Sequence, residues 1–271
     1  MNGGDIRNQT QPAAELQAVG VLVGGRWILR DVNLAIPAGK CCAVIGPNGC
    51  GKSTLARVLA GYVWASAGRV RILGETLGET DLHLLRRRVK LVQPNAPVDF
   101  DPSMSAGDVV LTGVFGTVVL FDQPTDSDRD LARELMRRMG VGRLAESAFG
   151  TLSTGEKMRT LIARAMMVEP ALLLLDEPAA GLDLPGREIL LAGLDEVMSH
   201  PEPPTILLVS HHLEEMPAST NWAILMRDGT VASAGPARDV LTDEKMSAAF
   251  GVPVRVHHVG GRYAARVRAG G

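Results

Sequence analysis

No apolar run in this sequence is long enough to cross a membrane as a helix, which takes about 20 residues. The longest such stretch, VVLTGVFGTVVLF at 109–121, is broken by Gly113 and Gly116. It reads as a core helix or as a helix that docks a partner subunit. Cysteine is scarce as well. Of the three, Cys41 and Cys42 adjoin in an apolar run and Cys50 lies among glycines, so no disulfide framework is indicated and a reducing cytoplasm fits. Excess positive charge is missing too: a formal net charge of −2 and a pI of about 6.3 exclude a nucleic-acid binder driven by phosphate neutralisation. The N-terminal MNGGDIRNQTQP lacks the basic-then-apolar order of a secretory signal and reads as a disordered lead-in over 1–12. Internal repeats and low-complexity segments are absent. What is present is a chain of 271 residues, 46% hydrophobic, enough for one large domain or a domain with a subdomain.

Short β-rich runs alternate with helical patterns: CCAVIG, then KSTLARVLAGYV, RVRIL, VKLVQ, LLLLDEP, a helix from about Pro185 to Met198, TILLVS and WAILM. Nearly unbroken apolar strands in that alternation predict an α/β fold whose parallel strands are covered on both faces. Ligands of such folds bind at the C-terminal ends of the strands. Between VKLVQ and LLLLDEP the signals are mainly helical, which predicts a helical subdomain inserted at about 96–168. The tail VPVRVHHVGGRYAARV alternates on both sides of Gly260-Gly261, the pattern of a β-hairpin appended over 251–271. The basic run Arg86-Arg87-Arg88 with Lys90 stands at the end of a helical pattern, where cations complement the helix dipole, so it is read as a solvated helix end.

Residues Gly46-Pro47-Asn48-Gly49-Cys50-Gly51-Lys52-Ser53-Thr54 fit G-x-x-x-x-G-K-[ST] between a buried strand and a helix. The glycine-rich turn can aim its N–H groups at phosphate oxygens, with Lys52 reaching the β and γ oxygens and the Ser53 hydroxyl ligating Mg²⁺. LLLLDEP delivers Asp176 and Glu177 to the end of an apolar strand. One carboxylate would hold the metal and the other would orient and deprotonate the attacking water. Gln93, extended by the following Pro94, and His211 of VSHH also stand at strand ends.

LSTGE (152–156) opens a further apolar-periodic helix. Ser153 and Glu156 have the spacing of a capping box, and the same helix start could hold a phosphate supplied from elsewhere. The order GPNGCGKST, Gln93, LSTGE, LLLLDEP, AAGLD and VSHHLEE resembles the ATP-binding cassette ATPases over about residues 15–247. The resemblance implies a phosphate-loop NTPase core of mainly parallel sheet, with an N-terminal antiparallel β part and the helical subdomain, the cassette spanning 13–250. It implies ATP with Mg²⁺, Lys52, Ser53 and the loop amides on the phosphates, Gln93 and Asp176 on the metal, and Glu177 as general base. His211 becomes the γ-phosphate switch, Asp183 a contact across a dimer, and Ser153 with Gly155 the signature that closes on ATP. Two departures stand out. Thr154 and Glu156 replace a glycine and a glutamine of the usual LSGGQ, and Val23 stands where an aromatic adenine platform is usual; Trp27 or Arg26 is then a candidate to stack instead, with Trp27 as an ordinary core or surface aromatic the alternative.

Cassettes of this kind dimerise head to tail, and one copy of each motif calls for a second cassette, in a homodimer. With neither a coiled-coil insertion nor a tandem cassette, the expected role is a cytoplasmic subunit on the inner face of the cell membrane. There it would energise a polytopic permease, in import of a metal, metal chelate or similar solute. A soluble cassette with a regulatory role keeps the same nucleotide motifs. A phosphate-loop kinase would need an acceptor site and no signature.

Overall fold

The structure, a computed structural model, describes residues 11–94, 100–120 and 122–268. Most of the lead-in, the first residues expected in the helical subdomain, Phe121 and the last three residues lie outside that set. The chain begins with β1 (Ala14–Val23) and β2 (Arg26–Ile36), then β3 (Cys41–Ile45), α1 (Lys52–Leu59), β4 (Ala67–Ile72), β5 (Glu75–Thr76), α2 (Leu82–Arg88) and β6 (Val89–Val92). Three helices follow without a strand, α3 (Ala106–Phe115), α4 (Asp126–Arg138) and α5 (Thr154–Met166). The rest is β7 (Leu172–Asp176), α6 (Leu184–Met198), β8 (Thr205–Ser210), β9 (Thr220–Arg227), β10 (Thr230–Pro236), α7 (Ala237–Val240), α8 (Asp243–Phe250), β11 (Val254–Val259) and β12 (Arg262–Val267).

A six-stranded sheet runs in the order β10, β9, β3, β8, β7, β6, parallel throughout except where β10 pairs antiparallel with β9. Its central strands are CCAVI, LLLLD and TILLVS, every residue buried, as strands covered on both faces require. Because side chains alternate, β7 serves two cores. Leu172 and Leu174 pack with α1 and the N-terminal sheet, whereas Leu173 and Leu175 pack with α3, α5 and α6. Each fully buried leucine contributes about 1.5–3 kcal/mol, so the strand joins the layers. RVRIL does not belong to this sheet. It forms β4, antiparallel to β1 in a separate sheet ordered β2, β1, β4, β5, with Arg69 and Arg71 on its exposed face and Val70 and Ile72 on its buried one.

The 109–121 stretch divides in two. Val109, Val110 and Leu111 are buried within the helical layer. A Cβ on Gly113 would come 2.2 Å from the Arg164 carbonyl oxygen of α5, so α3 and α5 touch backbone to backbone. Arg164 Nε donates to Thr112 Oγ1 at 2.8 Å and fixes the end of α3. Among the described residues of the stretch, Val118 and Val119 are the exposed apolar side chains, at 40% and 44%. The expected docking helix is therefore core in its first half. Val110→Asp would bury an unpaired carboxylate and should lower unfolding stability by more than about 4 kcal/mol. Val118→Asp should stay within about 0.5 kcal/mol of the parent in the same urea titration, and equal losses would overturn the division. Within the basic run, Arg87 and Arg88 are exposed in the last turn of α2, as a solvated helix end requires, whereas Arg86 is engaged, its guanidinium lying 4.5 Å over the Tyr62 ring and donating to the Gly61 carbonyl at 2.6 Å.

Candidate functional site

Gly46, directly after β3, is a glycine because β9 leaves no room for a side chain: a Cβ there would sit 2.3 Å from the Met226 carbonyl oxygen. The loop through Pro47, Asn48 and Gly49 turns back to Gly51, which caps α1 in a left-handed conformation (φ 103°) with no side-chain cap. The first N–H groups of α1 are thus left for another acceptor, the arrangement that binds anions. Lys52 is buried and lies back over the loop, its Nζ donating to the Gly46 and Pro47 carbonyls at 2.8 and 3.0 Å. Thr54 is half-buried in the first turn. Burial raises the Cys50 thiol above its usual range and pushes that of Cys41 up to about 11, so neither is a thiolate at neutral pH.

Asp176, 5% exposed at the end of β7, joins three distant parts of the chain. Its Oδ1 accepts from Ser53 Oγ at 2.9 Å and its Oδ2 from Gln93 Nε2 at 2.6 Å. A hydroxyl, a carboxylate and a side-chain amide are oxygen-bearing groups suited to a hard cation. No group of three or more His, Cys, Asp or Glu gathers among the described residues. That donor set fits Mg²⁺, which takes one or two carboxylates and completes its shell with water and phosphate oxygens.

Glu177, the next residue, is held in a left-handed backbone (φ 52°) with its N–H on the Val209 carbonyl at 3.0 Å. Its Oε1 lies 3.4 Å from His211 Nδ1, a buried atom without a hydrogen-bond partner. The His211 and His212 rings lie 4.1 Å apart.

Ser153, Gly155 and Asp183 form a second group. Ser153 Oγ accepts from the Glu156 N–H at 3.3 Å, while Glu156 Oε2 accepts from Ser153 N and Oγ at 3.0 and 2.8 Å. The Ser153 N–H, followed by its hydroxyl, holds the Glu156 carboxyl below the usual range. Thr154 begins α5 with no positive φ, so its Cβ is accommodated. Gly155 is confined sterically, since a Cβ would approach Leu182 to 2.5 Å. Asp183 caps α6 through the Gly186 N–H at 2.9 Å. Among the described residues, no hydrogen bond or ion pair joins this group to Lys52, Ser53 or Asp176. Trp27 is half-exposed and lies across Gly20, one ring carbon 2.7 Å from where a Cβ would stand; Arg26 is exposed.

Two neighbours escaped the sequence reading. Leu182 ties the start of α5 to the Asp183 turn, and Arg159, buried with its Nε on the Gly155 carbonyl at 3.4 Å, leaves Nη1 unpartnered. The one available signal was the position of Arg159 a helical turn after Gly155.

Known proteins match this arrangement. A family model described as ABC transporter covers residues 29–180. The uncharacterized ABC transporter ATP-binding protein YlmA of Bacillus subtilis is 35% identical over 89% of this chain and 92% of its own. The manganese transport system ATP-binding protein MntB of the same organism is 31% identical over 88% and 92%. Its iron(3+)-hydroxamate import ATP-binding protein FhuC is 30% identical over 89% and 88%. Among solved structures, an ABC transporter assigned to the metal-chelate type, in an inward-facing conformation, superposes with a TM-score of 0.74 at 25% identity, covering 94% of this chain and 96% of that one. No helix among the described residues is long and apolar enough to cross a membrane. A family match across residues 29–180 and relatives aligned over most of their length mean that this α/β protein belongs to the ABC transporter family, as one of the ATP-binding subunits that hydrolyse ATP and work with a permease.

Proposed function

We propose that two copies of this chain bind two ATP molecules with Mg²⁺ and, on the cytoplasmic face of the membrane, drive a permease that imports a metal ion or metal chelate. The observation that carries the ATPase half of this reading is the meeting of Ser53 and Gln93 on Asp176, with Glu177 beside His211. Lys52 and the loop N–H groups would take the phosphates. Ser53, Gln93 and Asp176 would hold Mg²⁺, which when bound offsets the charge of the β and γ oxygens. Glu177 would accept a proton from the attacking water, with His211 against its carboxylate. Ser153, Gly155 and Asp183 would act on the nucleotide of the second copy, which suits their separation from the phosphate loop within one chain. Exposed Tyr62, Trp64, Leu84, Val118 and Val119 supply apolar surface for the permease.

The solute class rests on relatives named for manganese transport, for iron(3+)-hydroxamate import and, in Gloeobacter violaceus, for hemin import. Cells whose only copy carries Lys52→Ala should lose uptake of one such solute, falling to the background of a deletion strain. Unchanged accumulation of labelled manganese, ferric hydroxamate and hemin alike would sink the import reading.

A further inference from the structure

The C-terminal hairpin takes no part in the chemistry above, yet it is fastened to the turn that follows His211 and to the helix that Asp183 caps. Strands β11 and β12 pair from Val254↔Val267 to Val259↔Arg262 around Gly260 and Gly261, whose positive φ values of 59° and 79° suit a two-residue turn. Its root is anchored on α8, where Val256 N–H donates to Asp243 Oδ1 at 2.7 Å and Val254 N–H to Ser247 Oγ at 2.8 Å. Its inner face enters the core, Val254 and Tyr263 packing in one cluster with Leu213 and Met216.

Leu213 to Glu215 form a 3₁₀ turn that begins two residues after His211. There the Ala265 N–H donates to Glu214 Oε1 at 3.0 Å. That turn is tied to its own strand: the His212 N–H donates to Ser210 Oγ at 2.9 Å, and the Ser210 hydroxyl bonds the Glu215 carboxylate. A shift of Glu214 is thereby a shift of the segment that holds His211. On the other side Arg262 Nη1 pairs with Glu188 Oε2 at 2.6 Å, and Glu188 lies in the second turn of α6, the helix that Asp183 caps. Between these attachments is a cavity of about 220 Å³ lined by Arg187, Glu188, Glu214, His257, Arg262 and Tyr263. Half-exposed ion pairs contribute little to stability. Their effect here is to set where two loops stand, and displacement of a reacting group by about 1 Å can cost two orders of magnitude in rate.

We propose that the hairpin is a strap that holds the His211 segment and the Asp183 turn in register, with Arg262, Glu214 and Glu188 as positioning residues for ATP hydrolysis. The proposal rests on the reading that His211 and Asp183 act in hydrolysis. In the full-length protein, Glu214→Ala combined with Arg262→Ala should lower kcat about tenfold, with KM for ATP and the urea unfolding midpoint close to parental. The conservative pair Glu214→Gln with Arg262→Lys keeps an acceptor for Ala265 and a cation for Glu188, and should recover most of the lost kcat. A parental kcat in the alanine pair overturns the strap. So does a loss that the conservative pair fails to restore, or one that tracks the unfolding midpoint. His211→Ala, assayed in parallel, separates the two levels. If it turns over at the parental rate, the catalytic reading fails and takes the strap with it. If it is inactive while the alanine pair is unimpaired, the strap alone fails.

Discussion

Glu177→Gln should bind ATP as the parent does and hydrolyse it roughly 10²–10⁴-fold more slowly, the span usual for loss of a general base. The substitution keeps the size of the side chain and removes its ability to accept a proton at neutral pH. Its placement supports that role. Asp176 is immobilised by Ser53 and Gln93, so the next residue leaves the strand from a fixed point. A non-glycine residue in the left-handed region costs of order 1–3 kcal/mol and persists only where its surroundings impose it. Here the Glu177 N–H is bound to Val209 and the carboxylate is turned toward His211. With hydrolysis blocked and binding intact, the variant should accumulate as an ATP-bound dimer, visible by size-exclusion chromatography. Equilibrium ATP binding and single-turnover hydrolysis read the two steps separately, and near-parental turnover would remove Glu177 from the mechanism.

The parts of this protein legible in its sequence are those written in contiguous residues. CCAVI, the phosphate loop and KSTL form one uninterrupted strand, turn and helix, and LLLLD is apolar enough to be read as a central strand without knowing its neighbours. Gln93, Ser53 and Asp176 were each conspicuous at a strand end or helix start, although their meeting could not be read from spacing: 83 residues separate Gln93 from Asp176. What stayed hidden depends on distant partners. The alternation in RVRI shows half-burial but not which sheet covers it. Val110 and Val118 are the same residue type in one apolar run, and the contact of α3 with α5 decides that the first is buried and the second exposed. The hairpin is visible as two alternating segments around a Gly-Gly turn, whereas its attachments to Glu214 and Glu188 span 51 and 74 residues. Composition alone does not encode either contact.

Mixing two inactive variants, Lys52→Ala and Ser153→Arg, should restore up to about one quarter of parental ATPase activity. In an equimolar mixture half of the dimers are mixed, and each of these has one intact site of two. Each variant isolates one group. Lys52 Nζ lies within its own phosphate loop, so its loss disables the site on its own chain. Among the described residues, the Ser153 hydroxyl is bonded only within its capping box with Glu156. If it were a cap and nothing more, Ser153→Arg would cost about 1 kcal/mol of stability and leave the folded fraction active. Full loss of turnover in a folded Ser153→Arg protein therefore already separates a phosphate contact from a cap. Recovery on mixing separates action across two chains from action within one, because a site completed by its own chain gains nothing from a partner. Coupled firing of both sites would mask recovery of turnover, so ATP-dependent dimerisation of the mixture is measured in the Glu177→Gln background. If neither turnover nor a mixed dimer appears, Ser153 does not act across chains, and a folded, inactive Ser153→Arg protein then places its action within a site completed by its own chain.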